Sequence, residues 1–139
     1  MQVPQSFVED MIFSPGKPNT AYAEYFVGES FLAPLSDMAG AANVTFSPGC
    51  RNNWHIHKAS QGGGQVLLCT AGHGYYQEWG REAQPLKAGD VVEIPPNVKH
   101  WHGAAPGSWF THIAIGVPGE NAATEWLEPV SEEDYGKLF

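Results

Sequence analysis

Lys87-Ala88-Gly89-Asp90-Val91-Val92-Glu93-Ile94-Pro95-Pro96-Asn97-Val98-Lys99-His100-Trp101-His102 decides the fold when set beside Trp54-His55-Ile56-His57. Lys87 to Asp90 reads as a turn, Val91 to Ile94 as a strand, and Pro95 to Asn97 as a second turn that delivers His100 to the next strand. In a strand, side chains at i and i+2 leave the same face. His55 and His57 therefore point one way, and His100 and His102 repeat the arrangement. Two such pairs on separate strands can converge on one point inside a closed sheet.

The same grammar extends outward. Ala41 to Phe46 ends at the turn Ser47-Pro48-Gly49. Gln65 to Thr70 is a β-rich run closed by Ala71-Gly72-His73-Gly74, and Tyr75 to Trp79 alternates before Gly80. Trp109 to Ile115 is stopped by Gly116-Val117-Pro118-Gly119. With 16 Gly and 11 Pro punctuating short apolar runs, the pattern predicts an all-β sandwich or barrel. Residues 22–33 read as a strand interrupted by Gly28, followed by a loop from Pro34 to Gly40. Residues 1–20 lack a clear period and are expected to form an extended arm, leaving 21–139 as a single domain. In the tail, Ala123 to Val130 predicts an edge strand ending at Pro129, and Ser131 can cap a short final helix. Gln61-Gly62-Gly63-Gly64-Gln65 predicts a flexible loop beside the first histidine pair.

A chain of 139 residues fits one self-sufficient core, so a metal here need not be structural. Seven Lys+Arg against 15 Asp+Glu give a net charge of -8, which repels phosphate backbones and anionic lipid. Nucleic acid and membrane surfaces are thus poor partners. The start lacks a basic region followed by an apolar one, and no apolar run approaches the ~20 residues of a membrane span. Cys50 and Cys69 are expected to be reduced thiols in a cytoplasmic protein.

Histidine placement then suggests chemistry. Neutral imidazole ligates Zn, Mn, Fe, Ni or Co at roughly 2.0–2.2 Å. A lone His is more often structural than a ligand, but two H-x-H pairs, each just after a Gly/Pro turn, point to one divalent metal. His73 follows Gly72 in a turn and receives no role.

These residues resemble the cupin superfamily. Its first motif, G-x5-H-x-H-x3,4-E-x6-G, is matched in front by Gly49 and His55-Ile56-His57, and behind by Gln65 and Gly72. Its second, G-x5-P-x-G-x2-H-x3-N, is matched by Gly89, Pro95, Asn97 and His100, with Asn97 for Gly and Ala104 for the final Asn. Asn tolerates the positive φ that the turn requires. The resemblance implies a double-stranded β-helix (jelly-roll barrel) and makes His55, His57 and His100 metal ligands. A carboxamide replaces the family's glutamate. Gln61 keeps the short interval from His57, whereas Gln65 keeps the interval to Gly72 and begins a strand. Gln65 is preferred because strand register fixes side-chain direction.

A closer resemblance, carried by WHIH, QVLLCTAGHG, KAGDVVEIPPNVKHWHGAAP and THIAI, is to small bacterial cupins. These include cupin-type hydroxynitrile lyases and the cupins associated with carboxymuconolactone decarboxylases. It implies manganese as the first metal, with His55, His57, Gln65 and His100 as ligands and His102 and His112 as acid/base groups. Three neutral imidazoles and an amide would leave the ion's full charge available to a substrate oxygen. The function implied is metal-dependent chemistry on a small oxygenated molecule, with C–C cleavage as the named example. The alternatives are an Fe-dependent dioxygenase and a small-molecule-binding or sensing module without catalysis. Trp54, Ile56 and Trp101 have the opposite parity to the ligands and are expected to pack away from the metal. The apolar residues of the arm (Phe7, Met11, Ile12, Phe13) predict a homodimer or larger assembly.

Overall fold

Alternating strands and Gly/Pro turns become a curled antiparallel sheet of 12 strands in the computed structural model, which describes residues 1–139. Its spine is the strand Gln65–Glu78. The first half of that strand pairs with Phe110–Gly116 on one side and Val91–Ile94 on the other. The second half pairs with His100–Ala104 and Gln84–Lys87. Ser30–Ser36 and Ala41–Phe46 complete the first layer, stacked in turn on Phe110–Gly116. Arg51–Asn52, His55–Lys58 and Ala123–Trp126 complete the second. Side chains alternating inward from both layers, among them Val44, Phe46, Leu67, Cys69, Tyr76 and Phe110, form the core. Both cysteines are free and buried.

Ala71-Gly72-His73-Gly74 is not a turn; the strand runs through it. Gly72 has φ +77, and a Cβ there would overlap the Trp109 carbonyl, while one on Gly74 would press on Gly103 and Phe110. These glycines let the spine bend from one layer to the other beneath a close neighbour, opposite a register shift between Thr111 and His112. Residues 22–33 also differ from expectation. Gly28, at φ +91, separates the short strand Phe26–Val27 in the second layer from Ser30–Ser36 in the first, and Ala23–Tyr25 is a 3-10 turn. Ser30–Ser36 runs through Pro34, where the pairing becomes irregular at a place that tolerates a missing N–H.

The arm is less extended than its sequence suggests. Gln5–Val8 forms one helical turn, and Phe7 packs 6.3 Å from Trp109. Asn43 Nδ2 donates to the Ser14 carbonyl, and Lys17–Pro18 pairs with Phe31 and Leu32. The arm thus finds apolar cover and hydrogen bonds on its own sheet, while Ile12 remains 71 % exposed. The tail follows expectation: Ala123–Trp126 is an edge strand, and Ser131 Oγ accepts from the Asp134 N–H at the start of helix Glu132–Gly136. This helix covers Trp101, which packs with Trp54, Val130 and Tyr135 outside the barrel. Buried Arg51 clasps it, donating to the Val130 carbonyl at 2.9 Å and pairing with Glu132 at 3.0 Å. No helix is long and apolar enough to cross a membrane.

Candidate metal centre

Strand pairing brings the two histidine pairs together. His100 lies directly opposite His55, and parity turns both of them, with His57 and His102, toward the barrel interior. One ring nitrogen from each of His55, His57 and His100 falls within 4.8 Å of the others, so the three can hold a metal ion. The rings are oriented by their other nitrogens. His55 Nδ1 donates to the Asn53 carbonyl at 2.7 Å, and His100 Nδ1 to the Val98 carbonyl at 2.9 Å. His57 Nδ1 lies 3.3 Å from Thr124 Oγ1 on the edge strand. Tying off Nδ1 leaves Nε2 as the free lone pair, the arrangement that orients metal-binding imidazoles. Nε2 of His57 and of His100 is buried with no hydrogen-bond partner.

Electrostatics also favours neutral rings. Burial, reinforced by the neighbouring His100, holds His55 well below the ordinary imidazole value; burial lowers His57 and takes His100 to about 4. Rings that stay neutral keep their lone pairs for a cation. Gln65 lines the same cavity as His55 and His57. Gln61 lies on a separate exposed ribbon, Gln61–Gly62 paired with Gly119–Glu120. The glycine loop between them packs closely on its neighbours. Gly62, Gly63 and Gly64 all have positive φ, and a Cβ on any of them would press on Pro118, Ala59 or Ile94.

The cavity has a volume of about 250 Å³. His102 and His112 form its inner end, with His112 Nε2 3.1 Å from His102 Nδ1. Both are buried and held neutral, His102 well below its ordinary value by burial and by His112, and His112 down to about 3 by burial. Phe46 packs against both rings. At the other end Trp126 lies 4.6 Å from the His55 ring and stacks on Tyr25 at 4.5 Å. No Asp, Glu, Lys or Arg lines the space. His73 is exposed, far along the strand.

A family profile described as Cupin domain matches residues 42–111, which contain both histidine pairs. The chain belongs to the cupin family. Within this family it is 41% identical over 118 residues to an (R)-mandelonitrile lyase of Granulicella tundricola, covering 81% of this chain and 87% of the relative. A cupin-like protein from Thermotoga maritima superposes with a TM-score of 0.80 at 41% identity, covering 93% of this cupin and 97% of that chain. A predicted oxalate decarboxylase from the same organism has a TM-score of 0.62 at 20% identity over 77% of this chain and 98% of its own, a likeness of fold alone.

The cupin barrel also recruits residues that strand parity around the histidines did not predict. Asn52, Thr124 and Trp126 all line the cavity. Asn52 precedes His55 by three residues, a proximity that hints at the site. Thr124 and Trp126 carry no such signal, because only the pairing of Ala123–Trp126 with His55–Lys58 brings them there.

Proposed function

We propose that this cupin is a metal-dependent lyase that cleaves a small, uncharged α-hydroxy compound at a C–C bond, with cyanohydrins as the leading substrates. The observation that carries the reading is the set of buried, unpartnered Nε2 atoms beside a second, hydrogen-bonded histidine pair, His102 and His112. His55, His57, Gln65 and His100 would hold one divalent ion, with manganese the first choice. When bound, such an ion supplies Lewis acidity that lowers the pKa of a coordinated hydroxyl. The chain's own residues do the rest. His102, neutral and facing the cavity, takes the hydroxyl proton. The C–C bond breaks, its electron pair leaves with cyanide, and the carbinol carbon becomes the carbonyl of an aldehyde. The proton then passes from the imidazole pair to cyanide, giving HCN. An uncharged lining suits a neutral substrate and offers no cationic side chain to a carboxylate. The relative's name, mandelonitrile lyase, supports the same chemistry.

Metal content and mandelonitrile cleavage, measured side by side, test the reading. His100→Ala should lose both. His102→Ala should keep the metal and lose about 10²–10⁴ in rate, the usual cost of removing a general base. Metal loss in His102→Ala equal to that in His100→Ala would make His102 a ligand. A fully loaded wild type that cleaves no cyanohydrin would reduce the protein to a metal-binding cupin.

A further inference from the structure

Asn52 holds His102 at two points. Its Oδ1 accepts from the His102 main-chain N–H at 2.9 Å, and its Nδ2 lies 3.3 Å from Nε2 and 3.4 Å from Nδ1 of the same ring. The side chain is 3 % exposed and lines the cavity. The first contact settles which way the amide faces. A main-chain N–H can only donate, so the oxygen must meet it and the NH2 must meet the ring. An NH2 can likewise only donate, so it requires a lone pair on the ring.

His112 supplies the remaining constraint. Its Nε2 is 3.1 Å from His102 Nδ1, so a single proton lies between the two nitrogens. With that proton on His112, a neutral His102 would carry its own proton on Nε2. Its only lone pair, on Nδ1, would already be taken by His112, and Asn52 would face an N–H. With the proton on His102 Nδ1, Nε2 is bare and the Asn52 amide has an acceptor. The contacts of Asn52 with Nε2 and of His112 with Nδ1 are then both matched, and His112 carries its proton on Nδ1, which is buried without a partner.

We propose that Asn52 is a positioning residue that fixes His102 in the Nδ1–H tautomer, so that Nε2 is the bare nitrogen, held by the Asn52 amide until a substrate hydroxyl takes that place. This deepens the lyase reading and depends on it for the catalytic consequence. The tautomer itself stands on the hydrogen-bond geometry alone. Asn52→Asp is the sharpest variant: it keeps the shape and the acceptor for the main-chain N–H, but turns an acceptor toward the ring in place of a donor.

Ring 15N chemical shifts of His102, recorded on histidine-labelled, metal-free protein, test the tautomer. The wild type should show a protonated Nδ1 and a bare Nε2, and Asn52→Asp should move the proton to Nε2. In the manganese-loaded enzyme the same variant should retain metal and KM but lose about tenfold or more in kcat for mandelonitrile, since the base then presents an N–H. A wild type protonated on Nε2, or unchanged shifts in Asn52→Asp, would overturn the proposal. If wild type cleaves no cyanohydrin, the lyase reading falls, and the ring shifts alone decide the role of Asn52.

Discussion

At the scale of single residues, the site depends on which atom of each side chain is free. Three imidazoles offer Nε2 because carbonyls of Asn53 and Val98, and the Thr124 hydroxyl, engage the opposite nitrogens. The proposal of Gln65 over Gln61 as fourth ligand rests on the same kind of detail. Gln65 lines the cavity with His57, whereas Gln61 sits on the exposed ribbon. Gln65→Ala should therefore weaken manganese binding by about tenfold or more, and Gln61→Ala should leave it near wild type. Titration of metal-free protein, followed calorimetrically, checks this; the reverse order would mean the ribbon folds inward when metal binds. Gln65→Glu should retain the ion and slow turnover, because an anionic ligand cancels part of the charge that polarises the hydroxyl.

At the scale of elements, the glycines of the spine matter more than its apolar residues for closing the barrel. Gly72 and Gly80 have nearly the same φ, +77 and +81, but only Gly72 sits under a neighbouring main chain. Gly80→Ala should cost about 1 kcal/mol from backbone strain alone. Gly72→Ala adds a clash with the Trp109 carbonyl and should cost about 2–4 kcal/mol. Urea unfolding of the two variants measures the difference; equal costs would show that the strand crossing at Gly72 is not tight. Composition signals breaks at both positions alike. The sequence therefore reads Ala71-Gly72-His73-Gly74 as a turn, although the glycines serve close packing between the layers.

At the scale of the whole molecule, the buried histidines couple stability to pH and to metal. Burial keeps His100 near 4 and His112 near 3, and holds His55 and His102 well below their ordinary value. In the unfolded chain these rings protonate near 6.5. The folded, metal-free protein thus binds fewer protons below that pH, so stability present above about 6.5 is lost as pH falls toward 4, by up to about 1.4 kcal/mol per pH unit for each ring that stays neutral. Carboxylates titrate below most of this window. The urea midpoint of metal-free protein should drop between pH 7 and 5; a flat midpoint would mean that the rings protonate without unfolding. Manganese at a thousandfold excess over its dissociation constant should add roughly 4 kcal/mol at pH 7. Ile12, Trp79, Val91 and Phe139 remain exposed, and a homodimer that covers part of this surface is the expected species by light scattering at micromolar concentration.

The sequence by itself determined the β class, the inward parity of His55, His57, His100 and His102, the left-handed turn at Asn97 and the capped helix after Ser131. Each of these follows from period-two alternation or from the chemistry of one residue, and such signals are local. Asn97 indeed has φ 66. Only the tertiary structure decided that His100 stands opposite His55, that His112 meets His102, and that Asn52, Thr124 and Trp126 join them. It also laid the arm on its own sheet and gave Gly72 its role beneath Trp109. These contacts join residues far apart in the chain through strand register and layer crossing, and neither is encoded in the run of residues around any one of them.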